Sequence, residues 1–161
     1  MPSFDVVSRI DNQEIDNAIS NCMREISNRF DFKGSSTKIE RKENELVVIT
    51  DDDLKLRQVH DLIITHMVRR KVDPLCLNII SKETASGNKI RQVYRLVEGI
   101  EQSLAKKITS NIKSTKIKVQ VKINGNELRI EGKKKDDLQA VIQIIEDSKI
   151  GIPVQFINFR D

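Results

Sequence analysis

Residues that build catalytic and metal centres are scarce in this sequence of 161 residues, which has two histidines, two cysteines and no tryptophan. His60 and His66 are six positions apart, a spacing that does not stack them on one helix face as a four-residue spacing would. Neither Cys22 nor Cys76 stands in a CxxC pair, so no zinc-ligand pattern is present. The GxGxxG and GxxxxGKS phosphate loops are also missing. These absences argue against an enzyme and predict no cofactor.

Long apolar runs are missing as well. No stretch approaches the eighteen or so apolar residues of a membrane-spanning helix. Residues 1–15 lack the basic start and apolar centre of a signal peptide. Two cysteines are too few for a disulfide scaffold, which favours reduced thiols. We therefore expect a cytoplasmic protein with no membrane partner.

Charge is abundant and unevenly distributed. Residues 1–81 carry 12 basic and 14 acidic residues, whereas residues 82–161 carry 16 basic and 10 acidic residues. A basic half suggests a polyanionic partner, because phosphate groups attract lysine and arginine. Such an excess is also common on proteins without any such partner.

Apolar periodicity predicts the order β-α-β-β-α-β twice, with a period of roughly 80–87 residues. The predicted strands cover residues 3–10, 37–41, 46–50, 75–80, 90–97, 116–123, 128–131 and 154–159. Asp11 is predicted to cap the first helix, and Asp136 or Asp137 the last. Asn124-Gly125 is predicted to form a two-residue hairpin turn. The fold class is therefore α+β: two ferredoxin-like domains in tandem, each with two helices on a four-stranded antiparallel sheet.

Pairing of the fifth predicted strand decides how the domains divide the chain. About nine residues join it to the fourth strand, so the two can form a local hairpin. The fifth strand then fills the first-strand place of the first domain, and residues 3–10 serve the second. Loop-closure entropy favours this exchange, whereas the apolar pattern alone is equally compatible with a simple tandem. The exchange predicts one domain from residues 11–98 and another from residues 1–10 with 99–161.

Three basic features point to anion binding. They are the lysine face of residues 116–122, the Gly132-Lys133-Lys134-Lys135 segment before a helix, and Lys106-Lys107 with Lys113 on the preceding helix. Each alone is more often a solvated surface than a site. Aromatic rings for stacking bases are few, and Tyr94 is the one candidate on an exposed sheet face. The pattern favours electrostatic or small-nucleotide binding over sequence-specific reading of a single strand.

Residues 29–36 join the first helix to the second strand and hold two of the six aromatic residues. Strand-like alternation places Phe30 and Phe32 together in a core, with Asp31 and Lys33 on the other side. Alternatively, Lys33 and the backbone at Gly34 approach an anionic group such as a phosphate.

Several segments together resemble the YajQ family over the whole chain. They include PSFDVVS at 2–8, RFDFKG at 29–34, the predicted helix sequence at 99–108, GKK and DDLQ within 132–139, and PVQFINFRD at 153–161. Residues 82–89 are the loosest match and suggest a variable loop. The resemblance implies a bacterial cytoplasmic protein, two ferredoxin-like domains and exchanged N-terminal strands.

The resemblance also implies a nucleotide-binding protein, with cyclic di-guanylate, GTP, ATP or transfer RNA as the expected ligand and a regulatory role. It raises the case for a ligand contact at Lys33 and Gly34, which lie in the family's most recognisable motif. Physical reasoning on the matching positions adds Arg91, Lys106, Lys133 and Lys134 as sources of positive charge. The alternative is a protein-interaction module that acts with a transcription regulator or assembly factor.

Overall fold

The computed structural model describes residues 1–161 and contains eight strands and four α-helices. In chain order they are β1 (Ser3–Val7), α1 (Asn12–Asn28), β2 (Lys38–Lys42), β3 (Glu45–Thr50), α2 (Asp53–Arg69), β4 (Leu77–Thr84), β5 (Ile90–Leu96), α3 (Gln102–Ser114), β6 (Val119–Asn124), β7 (Glu127–Gly132), α4 (Lys135–Asp147) and β8 (Gln155–Arg160). None of the helices combines the length and apolar character needed to cross a membrane.

The strands form two four-stranded antiparallel sheets, with the orders β2-β3-β5-β4 and β6-β7-β1-β8. Backbone contacts divide the chain into two compact units. The central unit is Ile10–Val97, and the terminal unit combines Met1–Arg9 with Glu98–Asp161. The predicted fold class is confirmed. The division into one domain of residues 11–98 and another of residues 1–10 with 99–161 stays a prediction.

Strand exchange follows from the β4–β5 hairpin. Its loop is closed by the amide of Ala85, which donates to the carbonyl oxygen of Lys89 over 2.6 Å. Gly87 and Asn88 occupy the left-handed region that the tight turn requires, with φ of 73° and 61°. Strand β5 thereby lies between β3 and β4, so β1 pairs instead with β7 and β8.

The core of the central unit lies between its sheet and the helices α1 and α2. Helix α1 begins after Asp11, whose side chain accepts from the Glu14 amide as predicted. Its apolar stripe packs with α2 and the inner sheet face, burying Ile15, Ala18, Ile19, Cys22, Ile26, Leu56, Val59, Ile63, Met67, Leu46, Val48 and Tyr94. Arg70 joins the two helices through paired hydrogen bonds of 2.9 and 2.8 Å to Glu14.

The core of the terminal unit is formed by one face of its sheet and the helices α3 and α4. Its buried members are Phe4, Val6, Ile100, Ala105, Ile108, Ile112, Leu128, Ile130, Leu138, Val141 and Ile145. Gly99 has a φ of 84° and comes so close to Asn126 that a Cβ atom would meet its Nδ2 at 2.9 Å. Glycine is therefore required where the chain turns into α3.

Aromatic positions differ from the sequence expectation. Residues Phe30–Phe32 form a 3₁₀ turn rather than an alternating segment. Phe32 is buried, but Phe30 is 87% exposed, so the prediction that both rings plug a core is wrong. Tyr94 is fully buried beneath the helices rather than lying on an exposed sheet face, and it stacks on His60.

Two local predictions in the terminal unit are also corrected. The β6–β7 turn consists of Gly125 and Asn126, with Asn124 already paired to Glu127. Helix α4 begins at Lys135 after Lys134, so Asp136 and Asp137 lie inside its first turn instead of capping it.

Candidate anion-binding pocket

A hollow of about 660 Å³ lies at one end of the terminal unit's sheet, beside the start of α4. We call it the lysine pocket because four lysines line it. Its lining consists of Met1, Lys116, Ile117, Lys118, Val119, Gln120, Glu131, Gly132, Lys133, Lys134 and Asp137. The pocket brings together parts of two basic features that the sequence presented separately: Lys116 and Lys118 from the lysine face of residues 116–122, and Lys133 and Lys134 from the GKKK segment.

Hairpin register brings the two features together. Val119 pairs with Gly132, so Lys118 and Lys133 follow at the same end of β6 and β7. A Cβ atom at Gly132 would meet Val119 Cγ1 at 3.1 Å and Leu138 Cδ2 at 3.3 Å. Because Gly132 has no side chain, Leu138 of α4 and Val119 of β6 can both pack closely against β7 at this point.

The loop from α3 into β6 forms another wall of the pocket. Thr115 closes α3, with its hydroxyl donating to the carbonyl oxygen of Ile112 over 2.6 Å. Lys116 then takes a left-handed conformation with a φ of 60°, which turns the chain toward the sheet. The apolar side chain of Ile117 follows and is half-buried. The pocket thus has both cationic and apolar lining.

The start of α4 differs from the starts of α1 and α2. In those helices Asp11 and Asp52 accept hydrogen bonds from backbone amides, at 3.2 and 2.8 Å. At α4 the capping position is Lys134, and no side chain caps the helix. The first amides of a helix have no acceptor within the helix, and its dipole favours negative charge there. An anion in the pocket can supply the missing acceptor.

Two carboxylates moderate the positive charge. Glu131 lies 3.3 Å from the ammonium of Lys122. Asp137 lines the pocket from the first turn of α4, where its negative charge interacts favourably with the helix dipole. Four lysines against two acids leave the pocket positive. A phosphate would compete with Asp137 for the same end of α4.

The other predicted site residues lie elsewhere. Lys33 and Gly34 follow the 3₁₀ turn of the central unit, and both are exposed. Arg91 is on β5, where its guanidinium lies 3.3 Å from Glu83. Lys106 is exposed on α3 and does not line the lysine pocket. Of the predicted site residues, Lys133 and Lys134 share one pocket, and ligand binding by all of them stays a prediction.

A second charged cluster lies on the sheet face opposite the helices of the terminal unit. Asp5 is buried and accepts from Arg129 Nε at 3.0 Å and from Asn158 Nδ2 at 2.8 Å. Burial alone raises the pKa of this carboxyl, but the hydrogen bonds from Asn158 and Arg129 outweigh it, so the pKa is lowered overall. Asn158 reaches Asp5 from a left-handed bulge with a φ of 56°.

Histidines and cysteines all lie in the central unit and are engaged or enclosed. His66 Nε2 lies 2.8 Å from Glu25, and His60 Nδ1 lies 2.9 Å from the Tyr94 hydroxyl. Burial raises the pKa of Cys22 to about 12 and that of Cys76 to about 11. No group of three or more His, Cys, Asp or Glu side chains is arranged to hold a metal ion.

Several pocket residues were not identified from the sequence. Met1, Ile117 and Val119 give the lining its apolar part, and Glu131 and Asp137 give it acids. The alternation of residues 116–123 places Val119 on the face of the strand opposite the lysines, so it gave no signal that Val119 shares their pocket. The convergence of β6, β7 and α4 on one pocket also had no signal in the sequence, because it depends on how these elements pack against one another.

These features define a class of protein: paired ferredoxin-like units, one of which carries a lysine-lined pocket at an uncapped helix start. The chain belongs to the YajQ family, because a family model described as "Nucleotide-binding protein YajQ-like" matches residues 2–160. It is 55% identical to a nucleotide-binding protein of Pelagibacter ubique, over the full length of both chains. Similar proteins of Paramagnetospirillum magneticum and Parvibaculum lavamentivorans, both named nucleotide-binding, are 50% and 51% identical over the full length of both chains.

Proposed function

We propose that this protein binds a nucleotide in the lysine pocket and releases it unchanged. The observation that carries the proposal is the convergence of four lysines at the uncapped start of α4. The volume of the lysine pocket, about 660 Å³, lies within the range of small-molecule sites, roughly 300–1,000 Å³. The names of the full-length relatives support the nucleotide as the ligand class.

The pocket chemistry suggests how a nucleotide is held. Lys118, Lys133 and Lys134 contact the phosphate oxygens, and the first amides of α4 donate to the same group. The sugar and base lie over the apolar side chains of Ile117 and Val119. Lysine suits this task as a flexible point charge that accommodates different phosphate positions.

Cyclic di-guanylate, GTP, ATP and transfer RNA are the ligands to be compared, because all carry phosphate and all follow from the family resemblance. Exposed lysines read charge rather than base identity, so the pocket lysines alone do not choose among them. Lys33, Gly34, Arg91 and Lys106 are proposed as further contacts outside the pocket. We propose a regulatory role in the cytoplasm for the nucleotide-bound protein.

Binding without turnover is supported by where the reactive side chains lie. General bases and nucleophiles in enzymes are most often histidine, cysteine or a perturbed carboxylate. Here the histidines are bonded to Glu25 and Tyr94, and both thiols are buried with raised pKa values. The pocket holds lysines, whose role in this geometry is electrostatic.

Calorimetric titration tests the proposal with each of the four ligands, at low and at high salt. We expect at least one to bind, with an affinity that falls as salt rises because the contacts are ionic. Chromatography of the ligand after incubation checks that it is unchanged. Failure of all four to bind would refute nucleotide binding, and steady conversion of the ligand would refute a non-enzymatic role.

A second candidate function is an interaction module that joins a transcription or assembly factor through β4. This eight-residue strand is at the edge of its sheet, and Ile79 and Ile80 on it are exposed. An open edge with apolar side chains can accept a strand from another protein. Slowed hydrogen exchange across residues 77–84 on adding a purified partner, without nucleotide, would favour this function.

A further inference from the structure

Phe30 is the most exposed of the large apolar side chains, with 87% of its surface open to solvent. The other ring of its turn, Phe32, is buried, and its face lies near two cations. Arg29 Cζ is 5.7 Å and Lys55 Nζ is 5.3 Å from the Phe32 ring centre. Phe30 makes no comparable ring contact, so packing within the chain does not account for its position.

The turn that carries Phe30 is firmly held. Arg29 donates two hydrogen bonds to the Asp31 carboxylate, at 2.9 and 2.7 Å. Lys55 donates to the Asp31 carbonyl oxygen over 2.7 Å, which ties the turn to α2. The amide of Lys33 donates to the Phe30 carbonyl oxygen over 3.0 Å. A ring on a fixed turn loses little conformational freedom when another surface packs on it.

A cation and an open stretch of backbone follow Phe30 closely in the chain. The ammonium of Lys33 is exposed and makes no ion pair, whereas the charge of Arg29 is matched by Asp31. Gly34 is in the left-handed region with a φ of 79°, and a Cβ atom built there would meet nothing within 4 Å. An aromatic face, a cation and an uncovered backbone therefore lie within five consecutive residues.

We propose that Phe30 stacks on an unpaired base of single-stranded RNA, with Lys33 contacting the adjoining phosphate. Stacking on aromatic side chains tolerates any base, because every base has a flat face, and the cation then follows the backbone. The inference rests on the proposed nucleotide-binding function, and it adds a second contact surface in the central unit. It names the ligand class for this surface as RNA with exposed bases.

The test uses the full chain and a fluorescein-labelled pentauridylate, compared with a pentamer of the same phosphate number that lacks bases. Anisotropy is expected to show tighter binding of the base-bearing probe. Phe30→Ala should weaken that probe about tenfold and leave the abasic probe within twofold. Phe30→Tyr should bind the pentauridylate as tightly as the parent protein does. Phe30→Leu should bind it as weakly as Phe30→Ala does, since leucine is apolar but has no aromatic face. Lys33→Ala should weaken both probes equally.

Leu54→Ala is the matched control, because Leu54 is a 58% exposed apolar side chain of the same unit without a ring. It should change neither affinity, and all variants should melt within about 2 °C of the parent protein, since the altered side chains are exposed.

Two binding results would overturn the inference: equal binding of the pentauridylate by Phe30→Ala and the parent protein, and full binding of it by Phe30→Leu. Loss of a protein partner with unchanged probe binding would also overturn it and assign Phe30 to a protein interface. Binding of nucleotides but not of the pentauridylate would refute this inference alone, whereas failure to bind either would refute the proposed function too.

Discussion

Removing Lys133 and Lys134 together is the most direct test of the lysine pocket. Both side chains are exposed at its rim, so their bonds to phosphate compete with water and salt. A buried charge-assisted hydrogen bond contributes roughly 1.5–3 kcal/mol, but an exposed ion pair contributes roughly 0.2–1 kcal/mol. For two exposed lysines we expect a loss of about 1–2 kcal/mol. The dissociation constant of the tightest-binding nucleotide should therefore rise about five- to thirtyfold.

Salt dependence separates this effect from damage to the fold. At about 1 M salt the screening length falls to about 3 Å, so the double variant and the parent should differ less than about threefold. Isothermal titration calorimetry at low and high salt measures both constants. The melting temperature should stay within about 2 °C, because neither side chain is part of a core.

Lys107→Ala with Lys149→Ala is the matched control. It removes the same charge from the same unit, at exposed positions that do not line the pocket. We expect its affinity to stay within about threefold of the parent. If the control weakens binding as much as the pocket variant does, the effect is general attraction by a basic unit. If the pocket variant binds like the parent, the nucleotide is held elsewhere.

Three further predictions concern the fold. Gly132→Ala should lower the unfolding free energy by about 1–3 kcal/mol, because the new methyl group presses on Val119, and an unchanged urea midpoint would contradict this. Asp5→Asn should destabilise most at neutral pH. The folded-state pKa of Asp5 is lowered, so its contribution is present above the unfolded pKa of about 3.9 and is lost as the pH falls through the folded value. Urea titrations at pH 7 and pH 3 should show the gap closing in acid; a constant gap would rule out the ionised carboxylate as its source. Cys22 and Cys76 should resist Ellman's reagent at pH 8 until the protein unfolds, and rapid labelling of the native protein would disprove their enclosure.

Much of the fold could be predicted from the sequence because its elements have strong local signals. The stripe from Ile15 to Ile26 has helical spacing and is buried as that spacing requires. Asp11 caps α1 as the residue pattern indicates. The strand exchange was also predictable, since a short connection costs little loop-closure entropy and the β4–β5 connection is short.

The hairpin turn shows how a small local error moves a site. Placing the turn at Asn124 and Gly125 instead of Gly125 and Asn126 shifts every cross-strand partner by two residues. Val119 would then face Ile130 rather than Gly132. Both placements use a glycine that can turn the chain, so turn chemistry alone did not decide between them. The register decides that the lysines of β6 meet those of the GKKK segment.

Burial of the two phenylalanines depended on local geometry that alternation misjudged. A 3₁₀ turn has three residues per turn, so side chains two positions apart point in directions about 120° from each other. Phe32 therefore enters the core while Phe30 leaves it. Strand-like alternation would have placed both rings on one side. Contacts of Arg29 and Lys55 with the turn hold this geometry.

The sequence by itself determined most of the elements and their order and favoured the exchange of strands, because these depend on side-chain periodicity and on short connections. Tertiary structure alone decided which lysines share a pocket and which ring stays exposed. The shared pocket depends on how separate elements pack on one another, since Lys118 and Lys134 become neighbours through a hairpin register and a helix start. The exposure of Phe30 depends on its 3₁₀ turn, which the hydrogen bond from Lys55 ties to α2. Distances of that kind are set by the whole core rather than by any single stretch of residues.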